Sequence, residues 1–324
     1  MPDGTFTEAA KEALRERHMS LRAAARAMNY DPAYLSRALS GKQLPSPQLA
    51  RSLDELLGAE GKLAALAATT NGEDIERVAR SVGNPSRMDG RTVEVFADAL
   101  WAQRQLEDAI GPGSVLPAMR GQLGIIKTLA RNVRGEHRDA FVAVAAEWVQ
   151  YTGWLHAAVR KDERAIDLLS RAEELADEAG DPTIAAIAVS FKGYVARQQG
   201  RSTRVVRNAM AALHTPGANP SQRCFDGLQA AQGYASMGER EEALRLLDDA
   251  TTLMQKLTEP PRSLYWYRPP FFQMAMGVVH FALGESADAV DFLHSGLGGL
   301  PEDQRDAEWT WEYQNALSRA TEAG

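Results

Sequence analysis

The chain has 324 residues, of which 24% are charged and 44% hydrophobic, a balance that argues against wholesale disorder and leaves room for two or more domains. No apolar run approaches the ~18 residues of a membrane helix, and the N-terminal MPDGTFTEAAKEALRE has no hydrophobic signal core, so a cytoplasmic protein with no membrane partner is expected. The formal net charge is −7, and the single cysteine, Cys224, excludes an intramolecular disulfide framework and reads as a buried, inert thiol.

Thr5-Phe6-Thr7-Glu8 fits a capping box that starts a first helix, running to about His18. Ser20 caps a second helix to Met28, with Leu21, Ala24, Ala25 and Met28 on its apolar face. Asn29-Tyr30-Asp31 forms a turn. Asp31-Pro32 starts a third helix: Leu35, Ala38 and Leu39 face inward, and Ala33, Tyr34, Ser36 and Arg37 face outward, with Gly41 as the stop. Ser46-Pro47 caps a fourth helix to about Leu57, and Leu63 to Ala67 adds a short fifth. Two close-packed helices joined by a tight turn make a helix-turn-helix arrangement.

The charge is segregated. Lys11 to Arg51 holds eight Lys/Arg against three acids, or +5, which leaves −12 for the remainder. A basic patch on a small module, attached to an acidic body, suits selective docking on phosphate.

In its cap, turn, Leu35-Ser36-Arg37, Gly41-Lys42 and Pro45-Ser46, all in the same order, the first 60 or so residues resemble the DNA-binding domain of the XRE (phage-repressor-like) family. The chain departs from that family at Leu21, where many members carry a phosphate-contacting Gln, and this leaves Arg22 as the candidate for the contact. The resemblance implies double-stranded DNA as partner. Arg37 is the candidate for reading a guanine edge, with Ala33, Tyr34 and Ser36 on the same face. Arg22 and Lys42 are candidates for phosphate contacts. The domain is expected over 1–68.

Residues 69–90 read as a linker. Thr69-Thr70-Asn71-Gly72 and Gly83-Asn84-Pro85-Ser86 are breakers, with one short helix from Glu73 to Ser81 between them. From 91 to 324 the signal is a repeat. Gly153, Gly193, Ala231 and Gly277 are each followed after twelve residues by Ala165, Val205, Ala243 and Ala289, and seven later by Ala172, Ala212, Ala250 and Gly296. Gly200, Gly238 and Gly284 fall at a fixed turn position that Arg160 occupies in the first unit. Small residues at fixed spacing let paired helices approach closely. Asp181-Pro182 and Asn219-Pro220 cap the units that follow. Thr92 to Arg134 reads as a divergent hairpin broken at Gly111-Pro112-Gly113, and Glu308 to Ala320 as a capping helix.

These offsets resemble tetratricopeptide repeats, although the units exceed the family's usual length of roughly 34 residues and lack some of its aromatic markers. The fold expected is therefore all-α: a helix-turn-helix bundle followed by a tetratricopeptide-like superhelix. In that family the first helix of each unit lines an inner groove. This places Gln150, Trp154, Tyr194, Arg197, Phe225, Gln229, Gln232, Phe271 and Met274 there, joined by Tyr267 and Arg268 from the insertion Tyr265-Trp266-Tyr267-Arg268 and by Trp309, Trp311 and Tyr313. Aromatics beside Arg and Gln suit a peptide or small amphipathic effector.

No HExxH, CxxC pair, P-loop or GxSxG is present, the six histidines have no metal-ligand spacing, and neither cofactor nor enzyme activity is expected. The combined architecture resembles actinobacterial transcription regulators and the intracellular peptide-pheromone receptors of Gram-positive bacteria. It implies a homodimeric, sequence-specific regulator controlled by an effector. The alternative is a protein-interaction adaptor with DNA contact secondary. A sensor predicts a closed pocket, an adaptor an open apolar groove.

Overall fold

The computed structural model describes residues 6–40, 45–59, 61–305 and 307–323, with backbone alone at Pro47, 64–73 and Asp303. Among these the chain is all-α, with sixteen α-helices, four short 3-10 turns and no strand. It divides into two compact units, Met1–Asp98 and Ala99–Gly324.

The first unit opens with α1 (Phe6–Glu16), α2 (Leu21–Ala27), α3 (Pro32–Leu39) and α4 (Pro47–Leu57). Ser20 Oγ accepts from Ala23 N–H at 3.2 Å, Asp31 Oδ1 from Tyr34 N–H at 2.7 Å, and Ser46 Oγ from Leu49 N–H at 3.0 Å. Each satisfies an N–H that the first helical turn leaves unpaired. Between α2 and α3, Asn29 takes the left-handed conformation (φ 57°) and Tyr30 N–H reaches the Ala25 carbonyl. This is the Schellman closure, for which Asn is the usual substitute for Gly. Phe6, Ala10, Leu14, Ala24, Ala25, Leu35, Leu39, Leu49 and Leu53 build one core, and the two alanines let α2 lie close to its neighbours. The capping Thr5, the Gly41 stop and Lys42 lie outside the described residues.

α5 (Lys62–Gly83) corrects the expected break at Thr69–Gly72, because the backbone continues there as one 22-residue helix. An interior Gly with neighbouring Thr and Asn costs about 2 kcal/mol. Contacts made on either side of these residues offset it. Asp54 of α4 accepts from Gly61 and Leu63 N–H, both at 2.6 Å, capping the N-terminus. In its second half Arg91 grips both oxygens of Asp74 (3.1 and 2.9 Å), and Arg77 donates to Asp89 at 2.9 Å. The helix does stop at Gly83, where Asn84 opens the 3-10 turn Pro85–Arg87.

α6 (Gly90–Ile110) and α7 (Pro112–Asn132) are separated at Gly111 (φ 80°), as the sequence predicts, but they do not pack as a hairpin. The α6 side chains have their partners elsewhere: Arg104 pairs with Glu147, and Glu107 accepts from Tyr151. Four hairpins follow: α8 (Arg138–Ala158) with α9 (Asp162–Ala179), α10 (Pro182–Gln198) with α11 (Ser202–Leu213), α12 (Pro220–Ala235) with α13 (Arg240–Met254), and α14 (Pro269–Ala282) with α15 (Ser286–Gly298). α16 (Trp311–Ala323) ends the stack. The first helices, α8, α10, α12 and α14, lie side by side with α16 in one layer. The second helices form the other layer, and each sits between its own first helix and the next element's.

All twelve small-residue positions of the repeat are buried. At Gly277 a Cβ would meet Leu293 Cγ at 2.6 Å and Leu293 N at 3.0 Å, so α14 and α15 touch through that glycine. The four hairpin turns share one closure. Arg160, Gly200, Gly238 and Gly284 all have φ between 59° and 82°, and the next residue's N–H returns to the carbonyl of His156, Ala196, Tyr234 or His280. Arg160 therefore adopts a glycine conformation without being glycine. Asp181 and Asn219 cap α10 and α12 as expected. No helix among the described residues is long and apolar enough to cross a membrane.

Candidate nucleic-acid interface and ligand cavity

α3 is fixed from both sides of its sequence pattern. Leu35, Ala38 and Leu39 are buried, and Ala33, Ser36 and Arg37 are exposed. Tyr34 is half-buried, packed on the core and stacked on Tyr30 at 5.9 Å between centroids, so it supports the helix more than it extends from it. Arg22 is exposed near the start of α2, whereas Leu21 beside it packs on the core. Leu21 thus packs inward at this position and Arg22 is left outward. Exposed cations on α2 and α3, presented by two capped helices at a fixed angle, can meet phosphate and base edges together.

The second unit holds a cavity, open to solvent at its mouth, on the face of the first-helix layer. α8 contributes Gln150, Tyr151 and Trp154, α10 contributes Phe191, Tyr194 and Arg197, and Phe225 and Phe271 come from α12 and α14. Three further segments close over them: Glu107 and Asp108 of α6, Tyr265-Trp266-Tyr267 of the insertion, and Gln304, Trp309, Glu312 and Tyr313 around α16. The rings are in contact. Trp154 lies 5.1 Å from Phe191 and 5.3 Å from Tyr194, and Phe271 lies 5.3 Å from Tyr267 and 6.1 Å from both Trp309 and Tyr313.

Polar groups are few and placed. Arg197 donates to Gln232 at 3.0 Å and to Glu312 at 2.8 Å, and lies over the Tyr194 ring. Asp108 accepts from Tyr265 at 2.8 Å. Glu107 accepts from the Tyr151 hydroxyl at 3.3 Å, and burial, helped by Asp108, pushes its carboxyl up to about 8. Burial also raises the Tyr194 phenol to about 12. Gln150 is wholly buried, and neither its amide nitrogen nor its amide oxygen has a partner. Behind the rings, Tyr267 donates to Gln222 at 3.0 Å and Gln222 donates to Asp226 at 2.9 Å; burial pushes the Asp226 carboxyl up to about 8.

Of the groove residues read from the sequence, Gln150, Trp154, Tyr194, Arg197, Phe225, Tyr267 and Phe271 line this cavity, and Gln229 and Gln232 line an adjoining recess. Two do not. Met274 is fully buried and packs on the backbone face of Gly296, because a first helix in the middle of the stack turns that position toward its hairpin partner. Arg268 is exposed and donates to the Tyr265 carbonyl, holding the entry to α14. Trp311 is 74% exposed, away from the lining. Glu107, Asp108, Tyr151, Phe191, Gln304 and Glu312 escaped the sequence reading. The repeat did hold the signal for two of them. Tyr151 and Phe191 stand two residues before the markers Gly153 and Gly193, as Gln229 does before Ala231, and Trp154, Tyr194 and Gln232 stand one after.

Cys224 is buried with its thiol pushed up to about 12 by desolvation, an inert group as expected. His280, Glu285 and Asp288 are the one grouping of metal-ligand type among the described residues. Arg240 already pairs with Glu285, which also accepts His280 Nδ1–H at 2.7 Å.

Residues 12–67 match a family described as a helix-turn-helix domain, a span that contains α2, α3 and α4 whole. No curated protein and no solved structure matches the chain. The chain carries a helix-turn-helix domain of the kind that binds DNA, followed by a stack of helical hairpins, and this combination points to a DNA-binding regulator.

Proposed function

We propose that the protein is a sequence-specific transcription regulator that acts as a homodimer and takes an effector in the cavity of its hairpin stack. The observation that carries this reading is the pairing of an outward Arg37 on a capped helix, inside the matched span, with a lined cavity elsewhere in the same chain. Residues 1–68 form the DNA-binding domain in the manner of the XRE family, with Arg37 on base edges and Arg22 and Lys42 on phosphates. Residues 91–324 form the tetratricopeptide-like sensor and dimer unit. Each protomer places α3 in a major groove, with half-sites about one helical turn apart. The effector shifts the population between dimer arrangements by binding one of them more tightly.

The partly covered lining favours a sensor over an adaptor, because α6, the insertion and the α16 region flank aromatics that an adaptor would leave open. Incubating the full chain with sheared source DNA at near-physiological salt and sequencing what is retained tests the reading. A two-fold symmetric motif is expected. Uniform recovery that collapses as salt rises would reduce the domain to non-specific phosphate binding.

A further inference from the structure

We propose that the cavity binds an organic cation, with an apolar body among the rings and its ammonium at the Glu107 carboxyl. The inference rests on the reading of the cavity as an effector site, and names the chemistry of the effector.

Three features lead to it. The first is the wall itself, which is largely aromatic. A cation within ~6 Å of a ring face is attracted by the ring quadrupole, and more strongly where water is excluded. The protein already uses two of these rings in that way: the Arg104 guanidinium lies 5.1 Å from the Tyr151 centroid and 5.9 Å from that of Trp266. Both rings also line the cavity.

The second feature is the charge balance. Arg197 is the cation of the lining, and Glu312 neutralises it at 2.8 Å. Of the two remaining acids, Asp108 is half-buried and already engaged, by Tyr265 among others, and Glu107 is buried. The hydrogen bonds to Glu107 come from neutral donors, Tyr151 and the Trp154 indole, and the charges that act on it most strongly, Asp108 and Glu308, are negative. An anionic ligand would be repelled by these carboxylates, a neutral one leaves Glu107 protonated, and a cation supplies the counter-charge for its ionised form.

The third feature is Gln150. It is 0% exposed, lines the cavity, and has an amide oxygen and nitrogen that find no partner in the protein. A buried polar group left unpaired costs about 1–3 kcal/mol, which a ligand with a polar group beside its apolar body relieves.

The same geometry sets a pH dependence. Acting on Glu107 are Asp108 on its own helix, Tyr151 on α8, Tyr265 of the insertion and Glu308, with the Arg104–Glu147 pair beyond the Tyr151 ring. Burial keeps the Glu107 carboxyl largely protonated at neutral pH, with its midpoint at about 8. A bound cation favours the ionised form, so binding expels a proton and tightens as pH rises, levelling off once the free carboxyl is ionised.

The test uses the full chain and the fluorescence of Trp154, Trp266 and Trp309. The probes are phenyltrimethylammonium, whose charge does not titrate, its neutral isostere tert-butylbenzene, and benzenesulfonate. Saturable quenching by the cation is expected, about tenfold tighter near pH 8.5 than near pH 6.5. Glu107→Gln should abolish that pH dependence and weaken the cation about tenfold at the higher pH, while leaving the response to tert-butylbenzene unchanged, which also reports an intact cavity. Three results would overturn the inference: no saturable signal by about 10 mM cation, tighter binding of benzenesulfonate, or an unaltered cation response in Glu107→Gln. DNA is absent from this assay. A failed regulator reading would instead show as cation binding that leaves DNA affinity unchanged.

Discussion

Arg37 extends from an eight-residue helix that the protein holds by an aspartate cap at one end and three buried side chains underneath. Its position needs only the cap and the helical period, so it is legible from the sequence. Replacing it by alanine should cost about 1–3 kcal/mol at the best site and relax specificity at one base pair, as a binding titration against single-base variants would show. Arg22→Ala should weaken all sequences alike and lower the salt slope by about one. Asp226 is the opposite case, since nothing local marks it as buried. Its burial is made by Gln222, Tyr267 and Ser190, which come from three elements. An ordinary aspartate titrates near 3.8, and this one near 8. Between those values the folded state binds more protons than the unfolded state. Stability from this group is therefore greatest at the acid end and falls as pH rises to about 8. Asp226→Asn keeps the Gln222 bond and removes the loss. It should raise the thermal midpoint at pH 8, by the equivalent of a few kcal/mol, and do little near pH 4. A midpoint lowered across the whole range would show that the carboxyl is needed in its ionised form.

At the scale of elements, small-residue spacing fixed the reading of the four hairpins because close helix approach is a local demand repeated four times. The turn at Arg160 shows how strong that demand is: the same Schellman closure forms there without glycine. A non-glycine residue held in the left-handed region costs roughly 1–2 kcal/mol. Arg160→Gly should therefore be neutral or stabilising by up to ~1 kcal/mol, after the entropy of glycine and the loss of the weak Asp162 pair are deducted. Gly296→Ala should go the other way. Its Cβ would meet the Pro270 carbonyl at 2.7 Å and Met274 N at 2.8 Å, backbone atoms that cannot step aside. A loss of about 1–3 kcal/mol is expected in thermal or urea unfolding. α5 and α6 were less legible. The breakers at Thr69–Gly72 are real local signals, overridden by the Asp54 cap and the Arg91–Asp74 pair, which join residues far apart in sequence. α6 reads as half of a hairpin by composition, yet Arg104 and Glu107 tie it to α8.

For the whole molecule, charge and cavity define two separate tasks. The net charge of +5 between Lys11 and Arg51 against −12 elsewhere favours DNA at one module and discourages it over the rest. The cavity is assembled from α6, four first helices, the insertion and the α16 region. Its aromatic side was legible through the repeat, whereas its acidic side came from α6, outside the repeat register, and could not be read from spacing. Linkage requires that an effector which changes DNA affinity be itself bound more tightly or more weakly in the presence of DNA, by the same factor. The central claim, specific DNA recognition through α3, is tested most directly by titrating the full chain and Arg37→Ala against the selected site and a scrambled duplex over a salt series. The account predicts a preference of about a thousandfold or more for the site, maintained as salt weakens both, and largely lost in the variant. Equal affinity for the two duplexes at every salt, or a preference untouched by Arg37→Ala, would contradict it.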